Sequence, residues 1–388
     1  MNLLRLCALL SGMIVVGGTL ESRLVAGESP ERMWVFVGTY TRGESEGIYV
    51  LQLDMESGAL IRKSSVRSDN PSFVAIHPNQ KWLYAVNEVG NFNSQKAGAI
   101  SAFSFSPESG ELTLLNQDSS VGPGPCHLTV DASGQYVLAA NYGGGSVCVL
   151  PIDNAGRLGR ASSFVQHTGS SVNQRRQSAP HAHSINLDVS NRFAVAADLG
   201  IDKLLIYDFN PRHGTLTDTP QAFVQVAPGA GPRHFAFHPS GKFAYVINEL
   251  HLTVTAFRFE QSSGRMTELQ TLSTLPPGSG KQGSTAEVQV HPSGRFLYGS
   301  NRGHDSIAVY SIDAETGKLT WVENELTGGK TPRNFGIDPT GQFLLAANQS
   351  TGDILTFRIT SDTGELTVAG QGIQIPSPVC VRMMPVAR

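Results

Sequence analysis

The sequence predicts an all-β fold, a seven-bladed β-propeller whose ring is closed by the C-terminal strand joining the N-terminal blade. Three observations predict it. Short apolar segments alternate with Gly and Pro punctuation along all 388 residues, with no heptad pattern and no long run of helical period. A hairpin recurs whose second strand ends in Asn87, Asn141, Asp198, Asn248, Asn301 and Asn348, at intervals of roughly 47 to 57 residues, near the period of propeller blades. The two termini are out of phase with that repeat.

The hairpins read NPSFVAIHPNQKWLYAVNE from Asn70, GPCHLTVDASGQYVLAANY from Gly124 and HAHSINLDVSNRFAVAADL from His181. PRHFAFHPSGKFAYVINEL from Pro232, AEVQVHPSGRFLYGSNR from Ala286 and PRNFGIDPTGQFLLAANQ from Pro332 follow. An apolar third strand comes after each, and in most units a turn such as SGEL, SGRM or TGKL leads to a fourth, completing a blade. The chain starts in mid-blade: WVFVGTYT from Trp34 matches the second strand, GIYVLQL the third and SGAL the fourth. Its missing first strand is expected in PSPVCV, Pro376 to Val381, aligned with PSFVAI, Pro71 to Ile76. Such closure leaves only short protected edges.

Composition is even, so residues 28–388 are expected to form one propeller domain. Residues 1–27 stand apart: Arg5 precedes an apolar stretch from Leu6 to Leu20, and Val25, Ala26 and Gly27 offer a cleavage site. This reads as an export signal, placing the mature protein in the periplasm or outside the cell, free of the membrane; without a signal it would be cytoplasmic. A net charge of −3 and a pI near 6.4 give no basic field for nucleic acid. Cys126, Cys148 and Cys380, scattered over apolar strands, suggest neither a disulfide framework nor a zinc site.

Chemistry is expected where charge meets the repeat. A hairpin turning near Ser240 and Gly241 sets Arg233 opposite Glu249 and His234 opposite Asn248, and ionised groups among packed strands are costly unless paired or hydrated. The repeated terminal Asn reads first as a strand cap. The positions that differ between blades carry more information: Ser72, Cys126, His183, Arg233, Ala286 and Arg333 at one, and Phe73, His127, Ser184, His234, Glu287 and Asn334 at the next. The longest connection, QHTGSSVNQRRQSAP from Gln166 to Pro180, reads as lying across the same end of the ring, where Arg176 and Gln177 would meet an anionic substrate, or as a solvated loop.

At RRQSAPHAHS, GAGPRHFAFHP with its YVINEL, YGSNRGHDSIAVY and TPRNFGIDPTGQFLLAAN, the chain resembles the lactonase family of seven-bladed β-propellers, from about Met33 to Met384. That family includes bacterial propeller-type 6-phosphogluconolactonases and fungal carboxy-muconate cyclases. The resemblance implies a site of His183, Arg233, Glu249 and Arg302 at one mouth of the channel, with Glu287 and Arg333 as further candidates; from their places in the repeat, His234 and Asn301 are expected to meet substrate beside them.

The expected reaction is hydrolysis of a sugar-type lactone, with 6-phosphogluconolactone the default substrate. His183 or Glu249 would activate water, Arg233 would steady the oxyanion and Arg302 would bind phosphate or carboxylate. No cofactor or metal is expected: HAH places two histidines on one strand face without a further ligand set. No GxSxG elbow stands between a strand and a helix, and Cys126 reads equally as a small core residue. The other readings are a carboxy-muconate cyclase using the same residues and a secreted binding propeller without turnover.

Overall fold

The computed structural model describes residues 30–280 and 282–386, so the expected export signal lies outside the described residues. Twenty-eight strands form seven four-stranded antiparallel sheets arranged as blades. Blade 1 is composite: its inner strand, Pro378–Pro385, pairs with Arg32–Thr39, followed by Gly47–Asp54 and Leu60–Arg67. Each later blade uses four consecutive strands. The inner strands of blades 2 to 7 are Val74–Ile76, Pro125–Val130, Ala182–Leu187, Pro232–Phe237, Ser284–Val290 and Pro332–Ile337.

Apolar residues on both faces of a strand require a neighbour on each side, and the blades supply it. The second strands Tyr136–Asn141, Phe193–Asp198, Phe243–Asn248 and Phe343–Asn348 are buried at every position. Val195, Leu204 and Ile206 of blade 4, for instance, pack on Phe235, Val246 and Phe257 of blade 5. Burying each large apolar side chain contributes roughly 1.5–3 kcal/mol.

The HPSG turn has a specific part in this packing. His238 Nε2 donates to the Gly294 carbonyl of the next blade at 2.8 Å, and its Nδ1 accepts from Ser240 N at 3.1 Å. Gly294 has φ 74°, and a Cβ there would lie 2.8 Å from the imidazole, so both its conformation and this approach require glycine. His77 and His291 make the equivalent bonds to Gly134 and Gly341. The terminal asparagines are interblade staples: Asn141, Asn301 and Asn348 Nδ2 donate to the carbonyls of Ser120, Thr274 and Thr327, in the linkers that leave the preceding blades.

Two registers differ from expectation. Val381 pairs with Val37, two residues before Thr39, as Val74 pairs with Ala85, two before Asn87; Val381 therefore corresponds to Val74, not Ile76. PSPVCV carries prolines two residues apart, and a two-residue slip keeps every side chain on its face, which concealed the offset. The blade 5 hairpin pairs Pro232 with Asn248 and Phe235 with Val246, so Arg233 does not lie opposite Glu249, nor His234 opposite Asn248. Instead Arg233 and His234 together oppose Ile247 in a β-bulge. The same irregularity falls at Cys126/His127, His183/Ser184, Ala286/Glu287, Arg333/Asn334 and Val379/Cys380.

Candidate active site

The bulge brings adjacent residues, which would alternate faces in a regular strand, toward the same axial channel. Both members of the pair Arg233 and His234 line the narrow throat of that channel, as do Ser72 and Phe73. A second ring comes from the residue after each terminal Asn, Asp or Thr of the second strands: Tyr40, Glu88, Tyr142, Leu199, Glu249, Arg302 and Gln349. Together they shape one mouth. A cavity of about 300 Å³ there is walled by Glu88, Cys126, Tyr142, Arg176, His183, Glu249, Ser284, Arg302 and Arg333. A second, of about 320 Å³, adjoins it through Glu88 and reaches Tyr40, Asn70 and Gln349.

Glu249 is the most heavily paired group. Its Oε1 meets Arg176 Nη2 at 2.6 Å, and its Oε2 meets Arg233 Nε and Arg302 Nη2, each at 3.0 Å. Burial alone would raise its pKa, but Arg302, Arg233 and Arg176 outweigh burial and hold it down at about 2. Arg302 also donates to the Thr285 carbonyl at 2.7 Å; burial lowers its pKa to about 9, which leaves it cationic at neutral pH. Arg233 lies behind Glu249, with Nη1 donating to the Ala286 carbonyl at 2.6 Å, and reaches only the throat.

Arg333 is differently placed. Among the described residues no carboxylate lies within ion-pair distance of it; Nη2 donates to the Tyr40 hydroxyl at 3.1 Å, while Nε and Nη1 have no protein acceptor. Tyr40 passes its own hydrogen to Glu88 Oε2 at 2.9 Å, and Ser72 Oγ donates to the same oxygen at 2.5 Å. Glu88 Oε1 makes no hydrogen bond among the described residues.

His183 is buried, with Nδ1 3.5 Å from Cys126 Sγ. Burial, then Arg233 and His234, push its pKa well below the usual value, so it is neutral at pH 7. Burial raises the Cys126 pKa, which keeps it a thiol. The HAH histidines part company: His181 stacks on Tyr142 with ring centroids 4.5 Å apart, and its Nδ1 donates to the Tyr142 carbonyl.

The remaining sequence candidates lie away from this wall. Gln177 is fully buried; Nε2 donates to Leu199 O and Asp202 Oδ1, and Oε1 accepts from Asn173 N, so it anchors the loop that carries Arg176 instead of meeting substrate. Asn301 is also fully buried, bonded on both amide atoms to Thr274. His234, at the throat, and Glu287, beyond it, are bonded to each other at 3.0 Å and line a cavity of about 340 Å³ that faces the far ends of the inner strands. Arg382 projects there over the Phe73 ring, 4.5 Å from its centroid.

Sequence reasoning passed over Glu88, Tyr40, Tyr142 and Arg382. The signal for Glu88 was present, since YAVNE and YVINE carry the same Asn-Glu step at the same repeat position.

Residues 34–383 match the family described as Lactonase, 7-bladed beta-propeller. A 6-phosphogluconolactonase of Bacillus subtilis is 40% identical over 350 residues, covering 90% of this chain and 97% of that protein. The chain belongs to the seven-bladed β-propeller lactonase family. A 6-phosphogluconolactonase of Formosa agariphila is 35% identical over 311 residues, covering 78% of this chain and 86% of that one. The solved structure of the Pseudomonas aeruginosa periplasmic gluconolactonase superposes with a TM-score of 0.86 at 32% identity, covering 92% of this chain and all of that one. The mouth and throat of the channel set Arg176, Arg233, Arg302 and Arg333 against Glu88 and Glu249, an excess of positive charge around a small-ligand pocket.

Proposed function

We propose that the arginine-rich mouth hydrolyses a sugar-type lactone bearing an anionic group, with 6-phosphogluconolactone the first compound to try. The observation that carries this reading is Arg333, a cation on the pocket wall that has, among the described residues, two uncommitted donor nitrogens and no carboxylate within ion-pair distance. A lactone is an activated ester, so attack by water needs a proton acceptor and cationic donors where the oxyanion forms. Arg333 supplies such donors; Arg176 and Arg302, at the rim, offer charge to a phosphate or carboxylate. Arg233, with Nε and Nη1 already committed, serves better as a brace for Glu249 than as an oxyanion donor.

Two related proteins bear names that differ in phosphorylation, 6-phosphogluconolactonase and periplasmic gluconolactonase, and the charge of the pocket favours the phosphorylated ring. Proton release on gluconolactone, its 6-phosphate and a carboxy-muconolactone tests this. The phosphate ester should show the highest kcat/KM; equal or faster opening of neutral gluconolactone would overturn the anionic preference, and preferential conversion of the muconolactone would favour the cyclase reading. Binding of a lactone without turnover would favour a binding propeller. The expected leader would carry the enzyme out of the cytoplasm, and N-terminal sequencing of the mature protein checks that.

A further inference from the structure

We infer that Glu88, not His183 or Glu249, is the general base that activates water in this pocket. The inference rests on the lactonase reading above and assigns a residue to its central step. Two carboxylates line the cavity, and their surroundings differ in kind. Glu249 has both oxygens committed to three guanidinium groups. Taking a proton there would break an arrangement that holds the carboxyl at about 2, and a base so weak gains little by accepting one. His183 is buried, and Arg233 and His234 oppose any charge on its ring.

Glu88 is bonded differently from both. It is half-buried and shared by the two adjoining cavities of the mouth and by the throat. One oxygen is fixed by two hydroxyl donors, which sets the plane of the carboxylate, while the other is uncommitted. Tyr40 ties Glu88 to Arg333, so the proton acceptor and the free oxyanion donor are parts of one hydrogen-bonded unit.

The step balances within the protein and substrate. Glu88 Oε1 takes a proton from water as the water oxygen bonds to the lactone carbonyl carbon, and the carbonyl electron pair moves onto oxygen facing Arg333. Collapse of that adduct breaks the bond from the carbonyl carbon to the ring oxygen, which takes the proton back from Glu88. The products are the open hydroxy acid and, once it ionises, one proton.

The experiment uses the full mature protein and the best lactone of the panel. Glu88→Gln should lower kcat by about 100-fold or more with KM within about threefold of wild type. Glu88→Ala should be equally slow but regain at least roughly tenfold with added formate, which supplies the missing carboxylate; a purely structural role would not respond. Wild-type kcat in Glu88→Gln overturns the assignment, as does a slow, folded Glu88→Ala that formate fails to stimulate. Should Glu88→Ala not fold, Glu88→Asp is read instead: a kcat loss of about tenfold or more at unchanged melting supports the assignment, and wild-type kcat overturns it. If the wild-type protein opens no lactone, the functional reading and this assignment fall together; if it opens one, only the behaviour of the Glu88 variants decides.

Discussion

Glu249 and Arg333 share a pocket wall but stand in opposite electrostatic positions, so their variants separate stability from catalysis. Glu249 was expected to act on substrate, whereas the structure surrounds it with Arg176, Arg233 and Arg302, and removing its charge strands those cations. Glu249→Gln should therefore cost about 3–5 kcal/mol and lower Tm by several degrees at pH 7. Its folded pKa of about 2 lies below the ordinary 4.5, so the stabilisation is complete above pH 4.5 and fades as pH falls toward 2. The gap in Tm between wild type and Glu249→Gln should narrow over that window; a gap that widens there would contradict the ion-pair account. Arg333→Met removes no ion pair and should leave Tm nearly unchanged, yet cut kcat/KM by roughly 100-fold or more. A sharp fall in Tm with normal kcat/KM in the folded fraction would make Arg333 a brace.

At the scale of the element, the blades were legible because their central strands are short, apolar on both faces and punctuated by HPSG-type turns and terminal Asn. The bulge was not, because no glycine marks it and no single residue type runs through Arg233-His234, Cys126-His127 and Arg333-Asn334. The asymmetric residues could thus be read from the repeat, but not the way they turn to the axis, nor the full burial of Gln177 and Asn301, because burial depends on tertiary packing. The long loop shows what fixes a rim cation. Asp202 is fully buried and accepts from Ser171 Oγ, Gln177 Nε2, Gly229 N and Gly231 N. Asp202→Asn would replace an acceptor oxygen by a donor facing donors, loosening the loop and with it Arg176. KM should rise about tenfold with kcat little changed, matching Arg176→Ala in steady-state kinetics. Loss of kcat at unchanged KM would show that this loop does not hold ground-state substrate.

For the whole molecule, closure through Pro378–Pro385 joins two interblade cores at once. Val381 and Met383 pack with Val37, Tyr49 and Phe343, while Cys380 and Met384 pack on the opposite face with Phe36, Val74 and Phe103. The axis is knitted there too: Val381 N donates to Asn334 Oδ1 at 2.8 Å, and Val74 N to Cys380 Sγ at 3.4 Å. Deleting residues 376–388 would expose the edge of Arg32–Thr39 and uncover the facing sides of blades 7 and 2. Each lost large apolar contact costs about 1.5–3 kcal/mol, against total stabilities of about 5–15 kcal/mol, so the truncated chain should not melt cooperatively. Failure to fold alone would not show why, and adding the strand back decides it. A synthetic peptide of residues 376–388 can pair with the open edge by strand addition. It should restore a cooperative melt whose Tm rises with peptide concentration, because a ligand that binds only the folded state stabilises it by mass action. The same peptide with Val381→Asp should fail, since Val381 is fully buried between blades 7 and 1. A truncated protein that melts like the full chain without peptide would show that the ring holds without its closing strand.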